Sequence, residues 1–157
     1  MSSMFNKQVE HYKNKFYNTV DNVSYQSVKS FAASMGIAED FLKCGLLENT
    51  EEFRKLVYSY AKTLMPGRVS CTTYAAVVAV IAKNFDIDYK VMSGFCLPKD
   101  HPQYAKNRAE FDEKKRSTEH PVLATHVFLL INDNYYEYYN GDTSNIDHID
   151  CVEIKKG

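Results

Sequence analysis

The stretch from Pro66 to Ala82, PGRVSCTTYAAVVAVIA, decides how the rest of the chain can be arranged. Pro66 and Gly67 break any helix that precedes them, and Ser70 is a residue type that caps the start of the next helix. The residues that follow Cys71 are apolar at helical spacing, so the pattern predicts a buried central helix with Cys71 in its first turn. One face of that helix is expected to carry Tyr74, Val77, Val78 and Ile81.

The chain before this helix, residues 1–65, is predicted to be helical throughout. Apolar residues recur at helical spacing in three segments, and Gly36 is expected to stop the second of them. Thr50 is expected to cap the third, with Glu51 and Glu52 well placed in its first turn. The apolar positions are Phe5, Val9, Tyr12 and Phe16, then Val28, Phe31 and Met35, and then Phe53, Leu56, Val57, Tyr60 and Leu64.

The chain after Asp88 changes to the alternating pattern of β-strands. The sequence Asn132-Asp133-Asn134 favours a tight turn, which joins two of these strands as an antiparallel hairpin. We therefore predict an α+β fold, in which the N-terminal helices and the central helix that begins at Cys71 pack against an antiparallel β-sheet. The strands are predicted over residues 89–95, 126–131, 135–139 and 151–154.

Three polar residues stand where a cysteine nucleophile needs its partners. Cys71 lies at a helix start, His126 opens a predicted strand, and Asn140 ends the next one. Unpaired N–H groups at a helix start stabilise a thiolate, which is the nucleophilic form of cysteine. An imidazole can pair with the thiolate and later protonate a leaving amine, and a third polar group fixes the orientation of the imidazole ring. The order indicates a candidate Cys-His-Asn catalytic centre.

The composition is that of an ordinary water-soluble protein. The chain has 157 residues, of which 45% are hydrophobic and 25% charged. The net charge of −1 gives no electrostatic support for a nucleic acid or an anionic membrane as a partner. No apolar stretch reaches the length of a membrane span, and the first residues lack the pattern of a signal peptide. We expect a cytoplasmic protein, leave delivery to another compartment open, and expect a protein or peptide substrate as the partner.

The remaining cysteines and histidines have simpler interpretations. The four cysteines contain no CxxC pair, which favours free thiols over a disulfide framework and argues against a metal site. No cofactor is predicted. The cysteines interpreted as small buried hydrophobic residues are Cys44, Cys96 and Cys151. The histidines interpreted as structural or exposed are His11, His101, His120 and His148. The aromatic run of residues 135–139 is interpreted as strand packing, with one ring available to line a cleft.

The part of the chain from residue 67 to about residue 142 resembles the core of the transglutaminase-like superfamily, within the broader papain-like group. Four segments carry this resemblance: GRVSCTTYA at 67–75, FDIDYKVMSG at 85–94, HVFLLI at 126–131 and YYEYYN at 135–140. Members of that superfamily place a cysteine at the start of a helix and a strand ending in glycine next. A histidine that leads a strand follows, and then an acidic or amide residue at the end of the following strand.

The resemblance implies acyl transfer through a thioester. Cys71 would be the nucleophile, His126 the general base and acid, and Asn140 the residue that orients the imidazole. The superfamily more often has Asp at this last position, which leaves Asp142 as an alternative third member. Papain-like peptidases supply a Gln shortly before the cysteine as an oxyanion donor, and this chain has none there. The backbone N–H of Cys71 is the one donor assigned.

Three functions remain open at the level of sequence. The first is hydrolysis of a peptide, isopeptide or side-chain amide bond by a cysteine protease or amidase. The second is transfer of the acyl group to an amine, as in a transglutaminase. The third is a binding module without activity on an inactive transglutaminase-like scaffold. The oligomeric state is open as well.

One domain is predicted over residues 1–157, with a helical part at 1–65 and a catalytic core at 66–157. Residues 97–125 separate the first two strands by far more than a hairpin requires. The charged middle of this insertion, residues 106–116, predicts a short exposed helix. The insertion is interpreted either as a lid that selects the substrate or as a solvated excursion with no role.

Overall fold

The computed structural model describes residues 3–114, 126–138 and 146–156, which form six helices and a four-stranded sheet. The architecture is α+β, as the sequence predicts. The helices are α1 (Ser3–Asn22), α2 (Tyr25–Ser34), α3 (Glu39–Glu48), α4 (Glu51–Leu64), α5 (Cys71–Asn84) and α6 (Tyr104–Lys114). The strands are β1 (Lys90–Pro98), β2 (His126–Ile131), β3 (Asn134–Tyr136) and β4 (Ile146–Glu153).

The end of α2 and the start of α4 lie at the residues that the sequence predicts. Gly36 lies just after α2 with a φ of 78°, a backbone conformation that glycine adopts without strain. Thr50 caps α4, because its side-chain oxygen accepts a hydrogen bond from the N–H of Phe53 at 3.1 Å. The acidic first turn of α4 is also as predicted. Local sequence signals therefore place the end of α2 and the start of α4 correctly, whereas α3 corresponds to none of the three predicted apolar segments.

The helix α5 is the centre of the core. Ser70 caps it by accepting a hydrogen bond from the N–H of Thr73 at 3.1 Å, and Cys71 is its first residue. Every residue from Thr72 to Ala82 is buried, which confirms the predicted buried central helix and shows that it is covered on all sides, not only on the face of Tyr74 and Ile81. α1, α4 and β2 are among the elements that pack against it. A first turn held by such packing fixes the position of Cys71 closely.

The four strands are antiparallel and lie in the order β3-β2-β1-β4. Asn132 and Asp133, with φ of 51° and 63°, form the predicted hairpin turn between β2 and β3. β3 ends at Tyr136 instead of continuing as predicted through residue 139. The hydroxyl of Tyr136 reaches across to donate to the carbonyl of Leu46, and Glu137 follows the strand as a buried residue. The alternation expected along this run therefore stops where the acidic residue turns inward.

The pairing of β1 with β4 contains a bulge. β4 has one more residue than β1 between the pairs Phe95–Ile149 and Ser93–Val152. Gly94 lies at this point, where a Cβ atom would come within 2.7 Å of the Cα of Cys151. The close approach of the two strands thus requires a glycine at position 94, and it brings β4 beside the strand that pairs with β2.

The helix α6 lies in the predicted insertion but is not wholly exposed. Phe111 is buried, and its ring stacks on Phe95 with ring centres 4.4 Å apart. Leu97 and Ile149 complete this second, smaller core. The helix is therefore fixed to the sheet. Residues 115–125 lie outside the described residues, so the lid interpretation stays a prediction. Within the described ranges, no helix is both long and apolar enough to cross a membrane.

Candidate active site

The sulfur of Cys71 lies where the start of α5 meets the start of β2. The imidazole of His126 lies in contact with the thiol of Cys71, and the backbone of Val127 also faces the sulfur. The hydroxyl of Thr72 lies 3.9 Å from the sulfur. Cys71 is partly buried. The two residues predicted to act as nucleophile and base are therefore in direct contact, although they are far apart in sequence.

The imidazole of His126 is completely buried and is held on its other side by a carboxylate. Its Nε2 lies 2.7 Å from Oε1 of Glu137. The ring of Phe128, two residues further along β2, stacks on the imidazole with ring centres 5.5 Å apart. Ionised carboxylates only accept hydrogen bonds, so Nε2 carries the proton in this contact.

A second imidazole meets the same carboxylate. Nε2 of His148 lies 2.8 Å from Oε1 and 3.0 Å from Oε2 of Glu137. His148 is on β4, and its ring is stacked on that of Tyr135, with ring centres 4.1 Å apart and planes within 1°. The interpretation of His148 as an ordinary structural or exposed residue is therefore too simple, because it is part of this cluster. The ring of Tyr135 lines the cluster, as the sequence allows.

The electrostatics of the site favour a charged thiol and a charged imidazole. Burial opposes ionisation of Cys71, but the hydrogen bond and charge of His126 outweigh it and lower the pKa of the thiol. Burial likewise opposes a charge on His126, but contacts with Cys71 and Glu137 raise its pKa to about 9. Burial of Glu137 is outweighed by its two imidazole partners, so the pKa of this carboxyl is lowered. All three pKa shifts follow from contacts within this one cluster of side chains.

The other three thiols have different surroundings, and all are free as predicted. Cys96 is buried on β1, and burial raises its pKa well above the ordinary range. Cys151 on β4 is partly buried, which raises its pKa to about 11. Cys44 is exposed on α3, so its interpretation as a buried hydrophobic residue is wrong. The exposure follows from its position on α3, whose inward-facing residues are Leu42, Gly45 and Leu46.

Asn140 and Asp142, the two predicted third members, lie outside the described residues. Glu137 is the group that the described structure places against the imidazole, and sequence reasoning misses it. A signal was present, because Glu137 is the single charge in a run of four tyrosines. A carboxylate in such an apolar run is either turned to solvent or buried with a partner. Only the fold decides between the two.

The same cluster has the donor types of a metal site. One ligand atom each from His126, Glu137 and His148 lies within 4.8 Å of the others. Imidazole nitrogens and a carboxylate oxygen are common zinc ligands, whereas the sequence predicts no metal site. The contacts of 2.7 and 2.8 Å that both imidazoles make with one oxygen are the lengths of charge-assisted hydrogen bonds. Hydrogen bonding therefore accounts for this arrangement without an ion.

A cleft of about 580 Å³ lies along α1. Leu64, Met65 and Thr73 form its other side, so the cleft runs close to the turn that precedes α5. Cys71 is not among its lining residues. The α1 residues that line it are His11, Asn14, Lys15, Asn18, Thr19 and Asn22.

Comparisons of the chain with protein-family models, with curated proteins and with solved structures gave no match. The function is therefore argued from the geometry of the site.

Proposed function

We propose that the protein is a cysteine-dependent acyl-transfer enzyme on a transglutaminase-like or papain-like fold. It hydrolyses a peptide, isopeptide or side-chain amide bond through a thioester on Cys71. The observation that carries the proposal is the continuous contact from the thiol of Cys71 through the imidazole of His126 to the carboxylate of Glu137. A nucleophile, a base and an orienting group in contact are the parts that such chemistry requires.

The first half of the reaction uses the ion pair. The thiolate of Cys71 attacks the carbonyl carbon of the amide, and the negative charge moves to the carbonyl oxygen. The backbone N–H of Cys71, at a helix start where no acceptor exists within the helix, is placed to stabilise that oxyanion. The C–N bond then breaks, the amine leaves with the proton from the imidazolium of His126, and the acyl group remains on sulfur as a thioester.

The second half returns the enzyme to its starting state. Neutral His126 takes a proton from water as the water oxygen attacks the thioester carbonyl. The C–S bond breaks, the carboxylic acid leaves, and the thiolate of Cys71 is restored beside a protonated imidazole. Because Nε2 of His126 donates to Glu137, Nδ1 is the nitrogen that exchanges these protons.

The pH dependence follows from the two shifted groups. Rates should fall on the acid side as the thiolate is protonated, below the range of an ordinary thiol because the pKa of Cys71 is lowered. They should fall again above about pH 9, where His126 loses the proton that the leaving amine needs. The expected profile is a bell whose acid limb follows Cys71 and whose alkaline limb follows His126.

Two other functions are alternatives: one uses the same catalytic site, and the other has no catalytic site. Transfer of the acyl group to a primary amine, as in a transglutaminase, differs only in the group that attacks the thioester. A binding module on an inactive scaffold has no need for a thiol in contact with a buried imidazole. The contact between Cys71 and His126 supports the enzyme over the binding module.

Trapping of the acyl-enzyme tests the proposal without knowledge of the natural substrate. The protein is mixed with an activated ester such as p-nitrophenyl acetate, quenched in acid and digested, and the acetylated cysteine is identified by mass spectrometry. We expect the acetyl group on Cys71 and its loss by hydrolysis over time. A labelled primary amine in the same reaction reports transfer instead of hydrolysis.

The variants Cys71→Ala and His126→Ala serve as the comparison, with circular dichroism to show that the fold is retained. Cys44 is exposed and provides an accessible thiol in every digest. Acetylation of Cys71 that is no faster than that of Cys44, or that is unchanged in His126→Ala, would contradict an acyl-transfer enzyme and favour the binding module.

A further inference from the structure

We propose that His148 is a positioning residue of this centre, which holds the carboxylate of Glu137 against His126 and extends the site to the chain Cys71–His126–Glu137–His148. The inference rests on the proposed function, because it concerns how that site is kept in its active arrangement. It goes beyond that function because it assigns a role to β4, a strand that carries none of Cys71, His126 and Glu137.

The geometry of Glu137 shows why a second donor is needed. Its side chain is only 3% exposed, so almost no water is available to its oxygens. Among the described residues, one hydrogen bond from His126 alone would leave most of the carboxylate lone pairs without a donor, and a buried ionised carboxylate in that state is costly. His148 reaches both oxygens, at 2.8 and 3.0 Å. The second imidazole therefore allows the carboxylate to stay ionised and fixed.

The position of His148 is itself determined by its neighbours. It lies on β4 opposite Cys96 of β1, while His126 lies on β2 opposite Gly94 of the same strand. Two imidazoles that flank β1 are thus brought to one carboxylate. The parallel stack with Tyr135 and the contact with Phe128, at ring centres 4.7 Å apart, hold the ring of His148 in place.

The role requires only that His148 donates a hydrogen bond from the right place. A neutral imidazole with its proton on Nε2 does this as well as a charged one. A glutamine at position 148 offers a carboxamide N–H and should replace it, whereas a leucine of similar volume offers none. This pair separates loss of the donor from loss of a packed side chain.

The test measures how fast iodoacetamide modifies Cys71 at pH 6 in the wild type, His148→Leu and His148→Gln, with chelator present throughout. We expect labelling to be about tenfold slower in His148→Leu, the effect of one pKa unit on the thiolate fraction. His148→Gln should stay close to the wild type. His101→Leu, at an exposed imidazole outside the cluster, is the matched control and should not change the rate.

A second readout does not depend on the reactivity of Cys71. The proton that His126 donates to Glu137 should give a downfield imidazole N–H resonance in the NMR spectrum. We expect this resonance in the wild type and in His148→Gln, and its loss or displacement in His148→Leu. Tyr135→Ala, which alters a half-exposed ring rather than the buried cluster, should weaken it without unfolding the protein.

The outcomes separate the two proposals. Slow, ordinary labelling of wild-type Cys71 overturns the proposed function, while the resonance still decides the role of His148. Fast labelling and an unchanged resonance in His148→Leu overturn the role of His148 and leave the proposed function intact. Stoichiometric zinc in protein purified without chelator, with the resonance appearing only after the metal is removed, would show a metal site and overturn the positioning role as well.

Discussion

Two thiols in this molecule, Cys71 at the start of α5 and Cys96 in the middle of β1, are in contact with the core but differ in their surroundings. Cys96 is buried among strands, and burial raises its pKa well above the ordinary range. Burial acts in the same direction on Cys71, yet the pKa of this thiol is lowered. The difference is a buried imidazole in contact with the sulfur of Cys71, which is itself held by the carboxylate of Glu137.

The comparison teaches that a position in the core does not by itself activate a thiol in this protein. Desolvation is the largest single influence on both sulfurs, and it opposes the charged form in each case. At Cys71 the influence of His126 outweighs desolvation, so the pKa of this thiol is lowered. The lowered pKa of Cys71 therefore depends on its contact with His126 and on the contact of His126 with Glu137, and each contact can be removed by itself.

The largest effect is expected from His126→Ala, which should make Cys71 behave like Cys96. Without the imidazole, burial is opposed only by the weaker influences of the Val127 backbone and the Thr72 hydroxyl, and the pKa of Cys71 should rise above that of an ordinary thiol. We expect iodoacetamide labelling of Cys71 at pH 6 to slow by about a hundredfold or more, since each pKa unit changes the thiolate fraction tenfold. Labelling rates measured between pH 5 and 10 and located by mass spectrometry would check this. Equal profiles of labelling rate against pH in the variant and the wild type would show that an ion pair with His126 does not set the reactivity of Cys71.

The next effect is expected from Glu137→Gln, because a carboxamide in place of the carboxylate removes the charge that stabilises the imidazolium of His126. Labelling of Cys71 at pH 6 should slow by roughly tenfold to a hundredfold, and the pKa of His126 should fall from about 9. NMR titration of the imidazole measures the second quantity directly.

Asn140→Ala is the matched variant, since the sequence predicts Asn140, or Asp142, as the third member. A large loss of reactivity in Asn140→Ala together with a small one in Glu137→Gln would restore the sequence prediction and demote Glu137. The opposite result would establish the carboxylate as the orienting group.

The sequence predicts the fold well where local signals decide it. Ser70 and Thr50 cap their helices, Gly36 follows the end of α2, and residues 126–131 form a strand with the predicted bounds. The contact between Cys71 and His126 was predictable from their order in the sequence. A cysteine at a helix start followed by a histidine at a strand start is the order that a cysteine nucleophile and its base would need.

The positions of Glu137 and His148, which follow Cys71 and His126 in this series of contacts, depend on information that no local sequence pattern contains. Glu137 is buried because β3 ends one residue earlier, at Tyr136, which turns two successive side chains inward. His148 reaches it because a bulge and a glycine let β4 approach β1 closely. Both facts depend on register between strands, and a shift of one residue changes the face on which a side chain lies.

A smaller effect, mainly on stability, is expected from Gly94→Ala, which tests the strand pair that surrounds Cys96. The added Cβ would lie 2.7 Å from the backbone of Cys151, which cannot move aside as a flexible side chain would. We expect a loss of about 1–3 kcal/mol in the free energy of unfolding, measured by urea denaturation. Labelling of Cys71 should also slow, because β4 carries His148. Gly36→Ala has a positive φ but open space around it, so it should cost stability without changing the labelling rate.

The smallest effects are expected from the removal of two helix caps. Comparison of the two variants isolates the contribution of the helix start to the reactivity of Cys71. Ser70→Ala and Thr50→Ala each remove one hydrogen bond to a backbone N–H, and each should cost about 1 kcal/mol in the free energy of unfolding. Only Ser70 caps the turn that carries Cys71, so only Ser70→Ala should slow the labelling of Cys71. If both variants lose similar stability and neither changes the labelling rate, the contact with His126 by itself sets the reactivity of Cys71, and the precise geometry of the helix start contributes little.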